Sequence, residues 1–199
     1  MDASIGKVVA ALKTKGIFDD TLIVVASKHG QAAIDPAKYG KVSQHIFATD
    51  VGVPVSFITT DDIALIYLKD QRDLDKAVDN LNRIRDTLKI ADIISGDRLT
   101  YLGYGDPKTD PAVPDIIVRP ELGIIYTTST SKIAEHGGLS DDDRKVACFA
   151  SATNLVKTVY DHQVHTQQFA PTILKALGLD PRSLQGAVAE DTKIIDGFR

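Results

Sequence analysis

The segment Asp20-Thr21-Leu22-Ile23-Val24-Val25-Ala26-Ser27-Lys28-His29-Gly30 joins an unbroken apolar run to a polar loop that carries a histidine. Thr21 to Ala26 is β-branched and apolar throughout, and a strand apolar on both faces belongs inside a parallel sheet covered by helices. Just upstream, Ile5, Val8, Val9 and Leu12 recur at the i, i+3, i+4, i+7 spacing of an amphipathic helix. Gly16 follows them and suits a helix C-terminus. Helix, short turn, buried strand and polar loop is the rhythm of an α/β fold. Ligands of open α/β sheets bind beyond the carboxyl ends of the strands, and Ser27-Lys28-His29-Gly30 lies there.

Further along, Asp35 to Gly52 is irregular and reads as a long loop with short helical pieces. Ile63 to Leu68 predicts a strand. Asp73 to Leu88 predicts a helix, with Leu74, Ala77, Val78, Leu81, Ile84 and Leu88 mainly on one face. Asp92-Ile93-Ile94, Leu99 to Leu102, Asp115 to Val118 and Gly123 to Thr127 are strand candidates. Lys145 to Ala150 predicts another buried strand. Thr166 to Leu177 predicts a helix that begins near Ala170, because Pro171 is awkward in a helix interior, and Gly178 closes it. The expected organisation is a core built from 1–52 and 121–199, with 53–120 inserted as a small α+β lobe. No internal repeat or low-complexity tract is present.

Composition sets the outer limits. The chain has 199 residues, 43% apolar and 25% charged, the profile of a soluble globular protein. A net charge of −4 argues against a nucleic-acid-binding face. No apolar run reaches the roughly 18–20 residues of a membrane span. Met1-Asp2-Ala3-Ser4 shows no basic region leading into an apolar stretch, so no signal peptide is visible. Cys148 is the only cysteine, which excludes an internal disulfide and a cysteine-based zinc site.

Two histidine–glycine pairs stand out, His29-Gly30 and His136-Gly137-Gly138. A glycine beside a histidine lets the backbone approach a ligand closely, and neutral imidazole is a common zinc ligand. The same pairs also suit loop histidines making ordinary hydrogen bonds. His162 and His165 lie three apart and could share a metal on a helix, or mark an exposed polar turn. His45 sits in the irregular loop with no evident partner. Asp141-Asp142-Asp143 after Ser140 reads as a helix start. No Gly-x-Ser-x-Gly elbow and no phosphate-binding Gly-x-x-x-x-Gly-Lys-Ser/Thr loop is present.

The order of these pieces resembles the type I phosphodiesterase/nucleotide pyrophosphatase branch of the alkaline phosphatase superfamily. There, a helix and a buried strand lead into a Ser-Asp-His-Gly motif, which Ser27-Lys28-His29-Gly30 resembles. Ala134-Glu135-His136-Gly137-Gly138 is similar to that family's last metal-binding histidine. Gln168-Phe169-Ala170-Pro171-Thr172 with Leu177-Gly178-Leu179 is similar to its closing Ala-Pro-Thr helix. The resemblance implies part of an alkaline phosphatase-like α/β/α sandwich and a phosphate-ester substrate. It also implies a two-metal site for Zn2+ or another divalent ion, with His136 on the first ion and His29 on the second. Relatives of this kind are often exported, to the periplasm or outside the cell.

Two departures qualify the expectation. Lys28 stands where the family has an acidic metal ligand. Either the second metal is lost, or Lys28 itself supplies positive charge against phosphate in place of one metal, leaving one ion on His136 and an upstream Asp-x-x-x-His pair. The family's early Asp, its Ser/Thr nucleophile and that Asp-x-x-x-His pair all precede the helix with which this sequence starts. The chain is therefore expected to be the C-terminal portion of a metal-dependent phosphoesterase, inactive alone and partnered by the N-terminal part of the same protein. The alternative is a non-catalytic binding module derived from that fold.

Overall fold

The computed structural model describes residues 1–38 and 40–198. In chain order the elements are α1 (Asp2–Thr14), β1 (Ile23–Val25), β2 (Ala32–Ala33), β3 (Lys41–Val42), α2 (His45–Asp50), β4 (Val55–Thr60), β5 (Ala64–Leu68) and α3 (Leu74–Arg83). They continue with β6 (Ile90–Ser95), α4 (Asp97–Tyr101), β7 (Ile116–Pro120), β8 (Ile125–Tyr126), β9 (Ala134–Glu135), α5 (Asp141–Arg144), β10 (Phe149–Ser151), α6 (Phe169–Ala176) and α7 (Gln185–Ala189). Two compact units form: Met1–Lys28 with the segment from Ala147 onward, and His29–Val146.

The second unit holds a four-stranded antiparallel sheet in the order β4-β5-β7-β6. Alternation along β5 sends Ala64, Ile66 and Leu68 to one face, where α3 covers them with Ala77 and Leu81. Phe47 and Val51 of the α2 region, Leu88, Val118 and Tyr126 complete this core. The Phe47 and Tyr126 rings meet edge-on at 4.7 Å. Burying a side chain such as Leu81, which is fully enclosed, stabilises by about 1.5–3 kcal/mol. On the opposite face Ile94, Leu99 and Ile117 gather Ile63, Leu65 and Leu139. Leu139 follows His136-Gly137-Gly138, so this second apolar cluster anchors the loop that carries His136.

Several sequence expectations change. The run around β1 was expected inside a parallel sheet; it pairs antiparallel with β10 alone and is only half-buried. The Lys145–Ala150 strand shifts to Phe149–Ser151, and Phe149 is exposed. Apolar side chains on both faces of a strand are buried only if both faces are covered, and within this unit neither strand has a second neighbour. Leu99 to Leu102 is not a strand: Gly96 adopts a positive φ of 57°, ends β6, and lets Asp97 start α4. The helix expected over 73–88 stops at Arg83. The closing helix begins at Phe169, after a 3-10 turn over Thr166–Gln168, and Pro171 falls in its first turn, where the amide is dispensable. Strand β4 and the short ladder strands β2, β3 and β9 carry too little periodicity to be read in advance, whereas β8 falls within the strand expected over 123–127.

Candidate functional site: two stacked histidines and their acidic surround

Two antiparallel residue pairs, Ala32 with Glu135 and Ala33 with Ala134, join β2 to β9. His29 precedes the first of these strands and His136 follows the second, so the ladder brings the two rings together. They stack with centroids 3.9 Å apart and planes inclined by 17°. The meeting place is this ladder, not the carboxyl edge of a parallel sheet.

Close approaches require a glycine after each histidine, directly beside His29 at Gly30 and two positions beyond His136 at Gly138, while Gly137 has room but a positive φ of 92°. A Cβ on Gly30 would lie 1.8 Å from the Asp142 carbonyl oxygen, while the Gly30 N–H donates to the Asp143 carbonyl at 2.6 Å. A Cβ on Gly138 would meet the Asp143 carboxyl at 2.5 Å and the Asp62 carboxyl at 3.0 Å. Only glycine admits such contacts without moving backbone or buried carboxyl groups.

Hydrogen bonding gives each ring a direction. His29 Nδ1–H donates to the Gly30 carbonyl at 2.8 Å, because a carbonyl only accepts. That tautomer carries its lone pair on Nε2. His136 is more exposed, and its Nε2 faces Glu135 Oε1 at 3.6 Å. Glu135 is buried, accepts the His136 N–H at 3.1 Å, and forms an ion pair with Lys132. Lys132 in turn donates to Asp61 at 2.6 Å. Burial pushes the Glu135 carboxyl up, but bonds from Lys132 and the His136 amide outweigh it and hold the group below its usual value. Bonds to Asp61 and Glu135 raise Lys132 in the same way.

Sequence reading missed Asp62, which with Asp143 forms a buried acidic pair beside this loop. Asp62 Oδ2 and Asp143 Oδ1 are buried with no hydrogen-bond partner among the described residues. Asp62 is 7% exposed and Asp143 4%. Burial first, then the neighbouring Asp143 carboxyl and the charges of Glu135 and Asp61, push Asp62 up to about 8. Ser140 caps α5 in a reciprocal box, donating its hydroxyl to Asp143 at 2.6 Å and accepting the Asp143 N–H at 3.2 Å. The helix start expected at Asp141 is therefore present, with its third residue turned inward. Asp62 follows Asp61 in the turn between β4 and β5, and nothing local marks one as buried and the other as exposed.

Other sequence candidates lie elsewhere. Lys28 is exposed at the end of the first unit. His162 faces Asp196 at 3.5 Å and Tyr160 edge-on, in that same unit. His165 precedes the 3-10 turn before α6, and His45 is exposed at the start of α2. Among the described residues, no group of three or more His, Cys, Asp or Glu side chains could hold a metal ion. The stacked imidazoles are two candidate donors, and the described residues supply no third to complete a metal site.

Comparison with known proteins gives the lineage. Human ectonucleotide pyrophosphatase/phosphodiesterase 5 superposes with a TM-score of 0.63 at 14% identity, over 89% of this chain and 46% of that one. The murine protein of the same name gives 0.55 at 16% identity, over 77% of this chain and 40% of that one. An inactive variant of the murine protein in complex with AMP gives 0.53 at 14% identity, over the same shares. This likeness gives the fold, an alkaline phosphatase-like α/β architecture, and the chain spans about half the length of the structures it matches. No curated protein matches it in sequence. The profile of type I phosphodiesterases and nucleotide pyrophosphatases matches residues 1–148, the stretch holding both histidine–glycine pairs, and the chain belongs to that family of the alkaline phosphatase superfamily.

Proposed function

We propose that this chain supplies His29 and His136 to the metal site of a phosphodiesterase that hydrolyses phosphate esters, a site completed by residues outside these 199. The observation that carries the reading is the stacking of two histidines that are distant in sequence. A histidine binds a metal through a lone pair in its ring plane. Nearly parallel rings cannot aim two such lone pairs at one ion, so each ring serves its own. Zn2+ or a similar divalent ion would there clamp the attacking and leaving oxygens and offset charge developing on phosphate.

The chain's own residues do the positioning. Gly30 and Gly138 let the two loops close on one another, and Leu139 ties the second loop to the sheet. Lys28, next to His29 in sequence, replaces an acidic ligand with an ammonium. In this reading it faces a phosphate oxygen, and the ion on His29 is held less tightly than the ion on His136. Residues 53–120, which carry the four-stranded sheet, form an inserted lobe between core segments 1–52 and 121–199.

Support for completion from outside comes from the first unit. Helix α1 has no buried residue, and Val8, Phe149, Val156 and Val159 are exposed. Export of the parent protein is part of the same proposal. Among the described residues, no helix is long and apolar enough to cross a membrane.

The isolated chain is expected to have negligible phosphodiesterase activity, because covalent phosphoryl transfer needs an activated nucleophile in line with phosphorus. Assay of the purified 199-residue chain with a nitrophenyl phosphodiester and Zn2+ checks this. Turnover that disappears in His136→Ala would show that the chain holds a complete site. A non-catalytic module would instead bind no metal through either histidine.

A further inference from the structure

We propose that the Gly138–Asp143 loop is a pH-sensitive latch. A proton kept on the buried Asp62–Asp143 carboxyl pair holds it closed beside His29; alkaline pH removes the proton and frees the loop, with the His136 that precedes it. The inference stands on the packing of this loop and needs neither histidine to be a ligand. The Asp143 carbonyl accepts the Gly30 N–H at 2.6 Å, next to His29. Gly138 is wedged against both carboxyls, where a Cβ would lie 2.5 Å from Asp143 and 3.0 Å from Asp62. Asp62 Oδ2 and Asp143 Oδ1 are buried without a hydrogen-bond partner among the described residues. Two carboxylates so placed cannot both ionise while the loop stays closed.

The surrounding charge sharpens the conflict. Asp61 from the β4–β5 turn, Glu135 from β9 and Asp143 of α5 all face Asp62. The Lys132 ammonium is already shared between Asp61 and Glu135. Arg119 and Glu121 line a cavity of about 50 Å3 beside the pair and, being of opposite sign, add no net charge. That cavity has room for water, so protons reach the pair without unfolding. Burial and these charges push Asp62 up to about 8. The closed loop holds a proton that the open loop gives up, so closure is favoured below this value and lost above it. Gly137 suits a hinge: its φ of 92° is left-handed, and a Cβ there would meet nothing. Leu139, packed on the second apolar cluster, is the contact that opposes release.

Amide hydrogen exchange of the 199-residue chain, corrected for the intrinsic rate at pH 6, 7, 8, 9 and 10, tests the latch. The amides to follow are Gly30 and Arg144, which donate to the Asp143 and Ser140 carbonyls. Their protection is expected to hold up to about pH 8. Above that it should fall about tenfold per pH unit, the signature of one released proton. Amides of β5 and β7 are expected to remain protected where those of the loop exchange freely. The ring contact between His29 and His136, read as an NOE between ring protons, is expected to be lost with the loop. Asp62→Asn removes the ionisation and is expected to give flat protection. Asp143→Asn meets Asp62 with a permanent donor and is expected to do the same, so a folding failure of one variant, seen by circular dichroism, leaves the other. Flat protection in the wild type, or the same fall in either folded asparagine variant, would overturn the proposal. So would loop and sheet amides losing protection together to the same level, or a ring contact that persists at pH 10 after loop protection is gone.

Discussion

Raising the pH from 3.8 through about 8 is expected to destabilise the chain, and Asp62→Asn is expected to remove most of that loss. Folding raises the proton affinity of Asp62, so the folded state holds a proton that the unfolded state releases. The contribution is therefore complete below the unfolded value of 3.8 and is lost as pH climbs through the folded value of about 8. At 1.36 kcal/mol per tenfold change in proton affinity, the upper limit is about 6 kcal/mol. Relaxation of the Gly138–Ser140 loop reduces it. Asp143, Glu135 and Asp61 all face the same carboxyl and add repulsion once it ionises. Asparagine has nearly the same shape and can donate permanently to Asp143. Urea unfolding followed by circular dichroism at pH 5, 7 and 9 is the measurement. Converging stabilities at pH 5, with the variant well ahead at pH 9, is the expected pattern; parallel pH profiles would contradict it.

Lys28→Met in the intact parent enzyme is expected to lower turnover about a hundredfold or more, the scale of losing one preorganised electrostatic contact. A phosphoryl site needs fixed positive charge where the family's acidic ligand and its ion are weakened, and a lysine delivers it as a point charge. Methionine keeps the length of the stem and removes only the charge. Lys28→Asp is expected to tighten the second ion while upsetting the charge balance at phosphate. Hydrolysis rate and bound metal per chain, measured on the same preparations, check both statements. Unchanged turnover in Lys28→Met would leave Lys28 an exposed loop residue.

The same comparison shows where the sequence was informative and where it was not. The His29 and His136 segments were legible because each carries chemistry and a neighbouring glycine in four or five consecutive residues. Their stacking could only be anticipated by family likeness, since it is made by a ladder of two residue pairs with no periodicity of its own. The strand around Ile23 was legible as a strand, but not its partner: an apolar run states that both faces want cover, without saying what covers them. Leu99 was taken for a strand residue because a buried leucine suits either structure, and the glycine–aspartate step before it carried the deciding signal. Asp62 was not legible at all. Neighbouring acids in a hairpin turn look alike in sequence, and only packing against Gly138 and Asp143 makes one of them keep its proton. In the sequence Glu135 shows only as part of a histidine motif, and its ion pair with Lys132 is made by the fold.

The central claim is that His29 and His136 are metal ligands on separate ions. It is tested most directly by zinc X-ray absorption on the Zn2+-loaded intact parent protein, alongside His29→Ala, His136→Ala and the double variant. The account predicts imidazole nitrogen at about 2.0–2.1 Å from zinc, with part of the bound zinc lost in each single variant and almost all in the double one. Zinc bound to the same extent in the folded double variant as in the wild type would contradict it.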